Sequence, residues 1–222
     1  MKKVLIPVIA AMTLGASGLA LAGTPVTSPA LGLGYASIGL SGHAARPGVR
    51  LFAGQRFGNG IRVSGQAAFA RGFYGVDANI GQFIPLSRRV ALEPLLDAGF
   101  LSMNYNQREV GYHVSTVNAG YGLTYQQTTP YSTTVPAGIQ DVYAMAGANL
   151  EYRITRRARV SIGGGFGHTL TVLNGAGGQA YRGRADLTAK LSRRWSGDID
   201  VSYLHLPGAS IVQYGAGVSY LF

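Results

Sequence analysis

The residues from Ile211 to Phe222 read IVQYGAGVSYLF, and they indicate the fold more strongly than any other stretch. Apolar and aromatic residues alternate here with small or polar ones, the apolar set being Val212, Tyr214, Ala216, Val218, Tyr220 and Phe222. A β-strand sends successive side chains to opposite faces, so one face of this strand is apolar. A chain that ends inside such a strand is expected where the last strand pairs on both edges, as in a closed barrel.

The opening residues, MKKVLIPVIAAMTLGASGLALAG, have the pattern of a secretory signal peptide. Lys2 and Lys3 precede an apolar run that closes on an Ala-Leu-Ala sequence ending at Ala22. This order of charged, apolar and small residues predicts cleavage after Ala22, the alternative being an uncleaved membrane anchor. We therefore expect residues 1–22 to be removed and residues 23–222 to form one exported domain.

The composition restricts the classes of protein that remain. The chain is 47% hydrophobic and only 13% charged, and it contains 33 glycines and no cysteine. The lack of cysteine excludes a disulfide framework, a thiolate metal site and a catalytic thiol. After the leader, no segment approaches the roughly 20 continuous apolar residues of a membrane helix. A soluble β-sandwich and a membrane β-barrel are the two candidates.

Strict alternation continues through the rest of the chain and favours the barrel. It is clear in VNAGYGLTYQ (residues 117–126) and in VYAMAGANLEYRI (residues 142–154). The polar face is half glycine and carries charges of both signs, while the apolar face carries aromatic residues toward the strand ends. This is the pattern of a transmembrane barrel with lipid outside and a packed or wet lumen inside. We predict an all-β, transmembrane, antiparallel up-and-down β-barrel in the bacterial outer membrane.

The number of strands depends on residues 104–139, which we expect to form a long extracellular excursion. If they form one loop, the barrel has 10 strands; if they add a hairpin, it has 12. The alternation of residues 117–126 favours 12. The segment QQTTPYSTTVPAG (residues 126–138), with two prolines and many hydroxyl groups, predicts a surface loop in both cases.

Three turns repeat one phrase, a hydroxyl residue followed by two arginines, in PLSRRVAL, RITRRARV and KLSRRWSG. The six arginines are Arg88, Arg89, Arg156, Arg157, Arg193 and Arg194. Counting strands back from the C-terminus places all three turns on the periplasmic rim, where we expect the arginines to contact lipid phosphates. The alternative interpretation is that these positions require only a polar turn between two strands, with no specific role for the arginines.

These features resemble small Gram-negative outer-membrane β-barrels, and the terminal YGAGVSYLF resembles the strand signal read by the barrel-assembly machinery. The resemblance implies that the recognised positions are Tyr214, Val218, Tyr220 and Phe222. It also implies three kinds of partner: outer-membrane lipids, the barrel-assembly machinery and periplasmic chaperones. Residues 79–100, NIGQFIPLSRRVALEPLLDAGF, resemble the YfaZ-like outer-membrane proteins, which implies no particular chemistry.

Charges at inward-facing positions form the main candidate site. They are Arg50, Arg56, Arg62, Asp77, Glu93, Asp97, Glu151, Arg153, Arg159, Arg182, Arg184, Asp186, Lys190 and Asp200. Buried charges require partners or water, so the lumen is either a paired, closed core or a wet channel. The first case predicts a plugged barrel with a structural role; the second predicts a narrow, weakly anion-selective, porin-like pore.

The candidate for catalysis is His113 with Ser115, which share one face of a strand, where an imidazole can activate a hydroxyl. The pair resembles the His-x-Ser of outer-membrane lipid A deacylases and phospholipases. However, the chain has no Asp or Glu between Glu109 and Asp141 to orient the histidine. Asn118 is an odd number of residues from both His113 and Ser115, so it is expected on the opposite face of the strand. We therefore predict no enzymatic activity, and no cofactor or metal site. The net charge of +10 is spread over turns and lumen, which excludes nucleic acid as a partner.

Overall fold

The computed structural model describes residues 29–40, 43–121, 123–173 and 177–222, and the predicted signal peptide lies outside them. Within these residues there is no helix long and apolar enough to cross a membrane. The strands are β1 (Ala30–Leu40), β2 (Arg46–Arg56), β3 (Ile61–Ala70), β4 (Phe73–Gln82), β5 (Ile84–Pro85), β6 (Val90–Gly120), β7 (Leu123–Arg153), β8 (Ala158–Leu173), β9 (Gln179–Lys190), β10 (Trp195–Leu206) and β11 (Ala209–Leu221).

The ten long strands close into one antiparallel barrel in which strands adjacent in sequence are adjacent in space. β1 pairs with β2 on one edge and with β11 on the other, so that Ala30 lies opposite Leu221. β4 pairs with β6, and the two-residue β5 pairs with the start of β6. The closed, antiparallel barrel confirms the predicted all-β fold, and β11 pairs on both of its edges as expected.

The outward face of the barrel is a continuous apolar surface. Leu31, Leu33 and Tyr35 are exposed on β1, at positions that alternate with the inward-facing residues of that strand. Exposed apolar side chains on the other strands include Val49, Ile80, Leu96, Leu150, Ile162, Phe166, Leu187, Ile199, Tyr214 and Val218. An apolar belt of this kind is the lipid-facing surface of membrane-embedded barrels.

The prediction of 12 strands is wrong, and the alternative of 10 agrees with the structure. Residues 107–115 lie within β6, and residues 117–120 and 123–126 lie at the end of β6 and the start of β7, so none of them adds a spanning pair. The pairing of β6 with β7 runs in one register from Val90 to Asn118. Alternation identifies a strand without identifying its partner, and here it marks the extension of an existing hairpin.

This extension projects beyond the barrel wall. β4 reaches only to Phe73, opposite Met103, and the pairing of β7 with β8 begins at Gln140. Among the described residues, the strands of residues 104–139 therefore pair only with each other. Each extends for about 16 residues, or roughly 50 Å. Residues 126–134 are exposed, as expected of a surface segment, but residues 126–138 lie in β7, so the prediction of a loop is wrong.

The two ends of the barrel differ in their connections. The turns at residues 86–89, 154–157 and 191–194 lie together at one end, which we call the arginine-turn end. The hairpin of β6 and β7 projects from the other, which we call the long-hairpin end. This difference matters because the lumen also differs between its two halves.

Candidate functional site: the lumen cavity

The inward residues of a strand change from polar to apolar along its length. On β10 they run from Ser196, Asp198 and Asp200 near the arginine-turn end to Leu204 and Leu206 near the long-hairpin end. The first group lines a cavity, and the two leucines belong to a packed hydrophobic cluster. The lumen is therefore divided into a polar half and an apolar half.

The half near the long-hairpin end is filled by a cluster that we call the apolar layer. Leu206 has 0% of its surface exposed, and Ile38 and Met103 have 1% each. Such low exposure shows that these side chains are packed against one another, and none of the described members of the layer lines the large cavity of the other half. The buried members of the layer are Ala36, Ile38, Leu40, Ala68, Phe73, Leu101, Met103, Tyr143, Met145, Ala180, Leu204, Leu206, Ala209 and Ile211.

The other half contains a cavity of about 990 Å³, which we call the lumen cavity. The exposed turn residues Arg156 and Arg193 line its mouth, whereas Arg182 and Ser202 line its inner end. The lumen cavity therefore opens at the arginine-turn end and stops at the apolar layer. Among the described residues, twelve Arg and Lys side chains line it, against five Asp and Glu side chains.

Arg182 lies where the lumen cavity meets the apolar layer. Its Nη1 donates to Oδ2 of Asp97 at 2.5 Å and lies 3.6 Å from Oδ1 of Asp77. Its Nη2 donates to the hydroxyl oxygen of Tyr143 at 2.5 Å. Gly99 leaves room for this tyrosine, since a Cβ there would lie 2.3 Å from the hydroxyl oxygen. The network crosses the barrel from β9 to β4, β6 and β7 and closes the floor of the cavity.

A second charge cluster joins strands on another side of the lumen. Both terminal nitrogens of Arg50 on β2 contact carboxylates of β10, those of Asp198 and Asp200. The side chains reach across β1 and β11, where Gly215 leaves them space; a Cβ on Gly215 would lie 2.5 Å from Oδ1 of Asp200. A large residue at this position would displace the ion pair.

Two further ion pairs lie nearer the mouth of the lumen cavity. Nη1 of Arg62 lies 3.2 Å from Oε2 of Glu93, and Nη1 of Arg159 lies 3.5 Å from Oε2 of Glu151. Both pairs are longer than the 2.5 Å pair of Arg182 with Asp97, and their arginines are more exposed than Arg182. The lumen thus contains paired networks at its floor and walls, together with cations such as Arg184 and Lys190 that form no ion pair with any described residue.

The structure places most of the charges predicted to face the lumen around this cavity. Glu93 and Asp97 lie behind its lining, where they pair with Arg62 and Arg182. The other predicted charges all line the cavity: Arg50, Arg56, Arg62, Asp77, Glu151, Arg153, Arg159, Arg182, Arg184, Asp186, Lys190 and Asp200.

Sequence reasoning missed two parts of this site. It omitted Asp198, although its spacing of two from Asp200 places both on one face of β10. It also missed the apolar layer, whose signal is the change of inward residues to isoleucine and leucine at positions such as Ile38 and Leu206. The sequence does not show whether Tyr143 faces lipid or the lumen, because tyrosine suits both a lipid interface and a buried hydrogen bond.

The three arginine turns share one local structure. In the turn of residues 191–194, Oγ of Ser192 accepts from the backbone nitrogens of Arg194 at 3.3 Å and Trp195 at 3.2 Å. The hydroxyl oxygens of Ser87 and Thr155 accept the same two bonds in the other turns. The hydroxyl residue therefore fixes the turn backbone, which leaves the arginine side chains available for other contacts.

The arginine turns are not equivalent in position. Arg156, Arg157, Arg193 and Arg194 line the mouth of the lumen cavity, whereas the first turn, with Arg88 and Arg89, contributes no residue to its lining. Of the three turns with this sequence motif, two therefore lie at the mouth of the cavity and one lies away from it.

The proposed assembly signal lies on the outward face of β11. Tyr214 and Val218 are exposed there, and Phe222 is exposed just beyond the end of β11, where it also lines the lumen cavity. The ring of Tyr220 packs edge-on against Trp195 and against Phe222, with centroids 5.2 Å apart in both cases. These rings form an aromatic cluster at the arginine-turn end, where interfacial aromatic residues are expected.

His113 and Ser115 lie on the projecting hairpin, outside the lumen. Oγ of Ser115 donates to the backbone oxygen of Gln127 at 3.4 Å, and His113 is exposed. Among the described residues, His113 makes no hydrogen bond and no ion pair. The structure brings the two residues to one face of β6 but does not join them by a hydrogen bond.

Comparison with known proteins gives no family. No family model matches the chain, and no curated protein sequence matches it. The chain does resemble solved structures, of which the outer membrane protease OmpT from Escherichia coli has a TM-score of 0.58 at 12% identity. That match covers 92% of this chain and 99% of OmpT. At this identity it shows a shared barrel fold and nothing about proteolysis.

Two porin structures also resemble the chain, less closely in shape. The NanC porin has a TM-score of 0.46 at 11% identity, covering 86% of this chain and 100% of NanC. The KdgM porin has a TM-score of 0.40 at 15% identity, covering 86% of this chain and 99% of KdgM.

Proposed function

We propose that this protein is a non-enzymatic barrel of the bacterial outer membrane whose lumen admits anions from one end and is closed at the other. The observation that carries this proposal is the division of the lumen. A cavity rich in arginine reaches in from the arginine-turn end and stops at Arg182, beyond which the apolar layer fills the barrel. In this conformation the barrel is a closed structure and not a conducting pore.

The outer membrane is the location that the surface fits best. The apolar belt on the outward face requires lipid, and the signal peptide predicted at residues 1–22 would export the chain. The aromatic residues of β11 suit the strand signal that directs barrel assembly. With the C-terminus on the periplasmic side, the arginine turns and the mouth of the lumen cavity face the periplasm. The resemblance of residues 79–100 to YfaZ-like proteins stays a hypothesis and contributes no chemistry.

The weak anion selectivity expected from the sequence belongs, in this proposal, to an open form. The excess of arginine and lysine over carboxylates in the cavity favours anions at its mouth. Ions can pass only if the apolar layer moves, because its side chains leave no wet path.

Recording from single barrels in a planar bilayer tests this proposal. We expect the refolded wild-type chain to show no steady conductance. A variant carrying Met103→Ala and Leu206→Ala, which removes volume from the apolar layer, is expected to show discrete anion-selective steps. The folded state of each sample is checked by its altered gel migration before and after boiling. Steady conductance by the wild-type chain would contradict closure of the lumen.

A further inference from the structure

The lumen cavity carries more positive charge than its own carboxylates neutralise. Arg50 and Arg182 are each held by two carboxylates, and Arg159 is held by Glu151. The cavity-lining cations that form no ion pair with any described residue are Arg153, Arg156, Arg157, Arg184, Lys190, Arg193 and Arg194. Such an excess in a partly enclosed space favours a bound anion.

Arg184 is the innermost of these cations, and its position argues for a ligand. Its Nε donates to the amide oxygen of Asn149 at 2.9 Å, which fixes the guanidinium in the wall. Arg182 and Arg62 repel it electrostatically, whereas Asp97 and Asp186 attract it without forming an ion pair with it. A guanidinium held by a neutral amide among other guanidinium groups keeps terminal N–H donors for an oxyanion, since its planar fork matches carboxylate and phosphate geometry.

The unpaired cations extend from the wall to the mouth. Arg184 and Lys190 lie on the same face of β9, six residues apart, which corresponds to about 20 Å along a strand. Lys190 lies next to the arginine turn that contains Arg193, and this arginine is at the mouth. A ligand with several anionic groups can therefore contact cations at more than one depth, whereas a single small anion cannot.

The size of the lumen cavity agrees with a ligand of this kind. Its volume of about 990 Å³ lies at the upper end of the range of small-molecule sites. Phe83 stacks with Arg56 at 4.4 Å between ring centroid and Cζ, and Phe222 also lines the cavity. The mouth therefore combines cationic and aromatic surface.

We propose that the lumen cavity is a binding site for small polyanions that carry clustered phosphate or carboxylate groups, entered through the arginine turns of residues 154–157 and 191–194. This inference rests on the proposed function, because it names the ligand class of the same closed cavity. The ligand can be a free solute or the headgroup of an anionic lipid, and both present the same chemistry to the arginines.

Calorimetric titration of the full mature chain, folded in a phosphate-free detergent, tests the site. Sodium tripolyphosphate is the probe. We expect saturable binding that weakens as the salt concentration rises, since the contacts are ionic. Arg156→Gln with Arg157→Gln is expected to weaken binding about tenfold, as is Lys190→Gln. The matched control is Arg88→Gln with Arg89→Gln, which changes the same phrase away from the cavity and is expected to leave binding unchanged.

The outcomes separate the ligand sources and the two proposals. Loss of tripolyphosphate binding in nanodiscs containing anionic phospholipid supports a lipid headgroup as occupant; unchanged binding supports a free solute. No binding by folded wild-type protein, or an equal loss in the Arg88 and Arg89 control, overturns the inference. If the wild-type barrel binds tripolyphosphate and also conducts steadily, the proposal of a closed lumen is wrong and the proposal of a polyanion site is supported.

Discussion

Arg182 donates a hydrogen bond of 2.5 Å to the hydroxyl oxygen of Tyr143, and this contact joins the charged half of the lumen to the apolar half. Tyr143 belongs to the apolar layer, and Arg182 lines the innermost part of the lumen cavity. The same guanidinium binds Asp97. One arginine therefore binds both a carboxylate of the charged half and a hydroxyl group of the apolar layer.

Arg182→Gln is predicted to destabilise the barrel. The substitution leaves Asp97 and Asp77 buried without their cation, which typically costs about 3–5 kcal/mol. Denaturant unfolding in detergent measures the change, and Arg88→Gln, in an exposed turn, serves as the control with an expected effect below about 0.5 kcal/mol. Equal stability of the two variants would show that the buried network has no structural role.

Asp141→Asn is predicted to stabilise the barrel. Asp141 has 0% of its surface exposed, and neither carboxylate oxygen has a hydrogen-bond partner among the described residues. It lies opposite Leu101 of the apolar layer in the register of β6 and β7. A buried group without a partner costs about 1–3 kcal/mol, and more when charged, so removing the charge is expected to raise the unfolding midpoint. A lower midpoint would show that the carboxylate has a stabilising role.

Shortening the projecting hairpin is predicted to leave the barrel intact. Replacing residues 107–135 with a short turn removes strands that pair only with each other among the described residues. We expect the same gel shift on boiling and a similar unfolding midpoint. The matched control is an equally large deletion that includes Asp97, which lies within the barrel wall and is expected to prevent folding. Failure of the shortened hairpin to fold would mean that the extension is required for assembly.

Ser115→Ala is predicted to have no effect on lipid hydrolysis. Ser115 bonds to a backbone oxygen, and no carboxylate orients His113 among the described residues. We expect wild-type protein and variant to be equally inactive in phospholipase and deacylase assays. Thr133→Ala, which removes another exposed hydroxyl of the same hairpin, is the control. Activity in the wild-type chain that Ser115→Ala alone abolishes would contradict the proposal of a non-enzymatic barrel.

Alternation of residues was sufficient to predict an antiparallel barrel, because a period of two is the direct signature of a two-sided strand. It was insufficient for residues 104–139. The run of Val117, Tyr121 and Tyr125 alternates as a spanning strand does, yet it lies on an exposed hairpin. Whether a strand pairs within the wall or beyond it depends on where its neighbours end, and the sequence of one strand does not contain that information.

Alternation along each strand predicts that Arg182 and Asp97 both face the lumen, but it does not predict that they contact each other. They are 85 residues apart in sequence, on strands that are not adjacent, and their contact crosses the lumen. Such contacts depend on barrel closure and on the stagger of the strands. The division of the lumen into a polar and an apolar half has a signal in the sequence, since Asp200 and Leu206 share a face of β10. To detect it, inward-facing residues of different strands must be compared at the same height along the barrel.

Cysteine labelling at two depths on β10 tests most directly whether the lumen is open at one end and closed beyond Arg182. The chain contains no cysteine, so Ser196→Cys and Leu206→Cys each introduce a unique thiol. Both positions face inward, the first in the lumen cavity and the second in the apolar layer. With a small, anionic, membrane-impermeant thiol reagent acting on the folded protein in nanodiscs, we predict that Ser196→Cys reacts readily and Leu206→Cys does not. Equal labelling rates at the two positions would contradict the closed lumen.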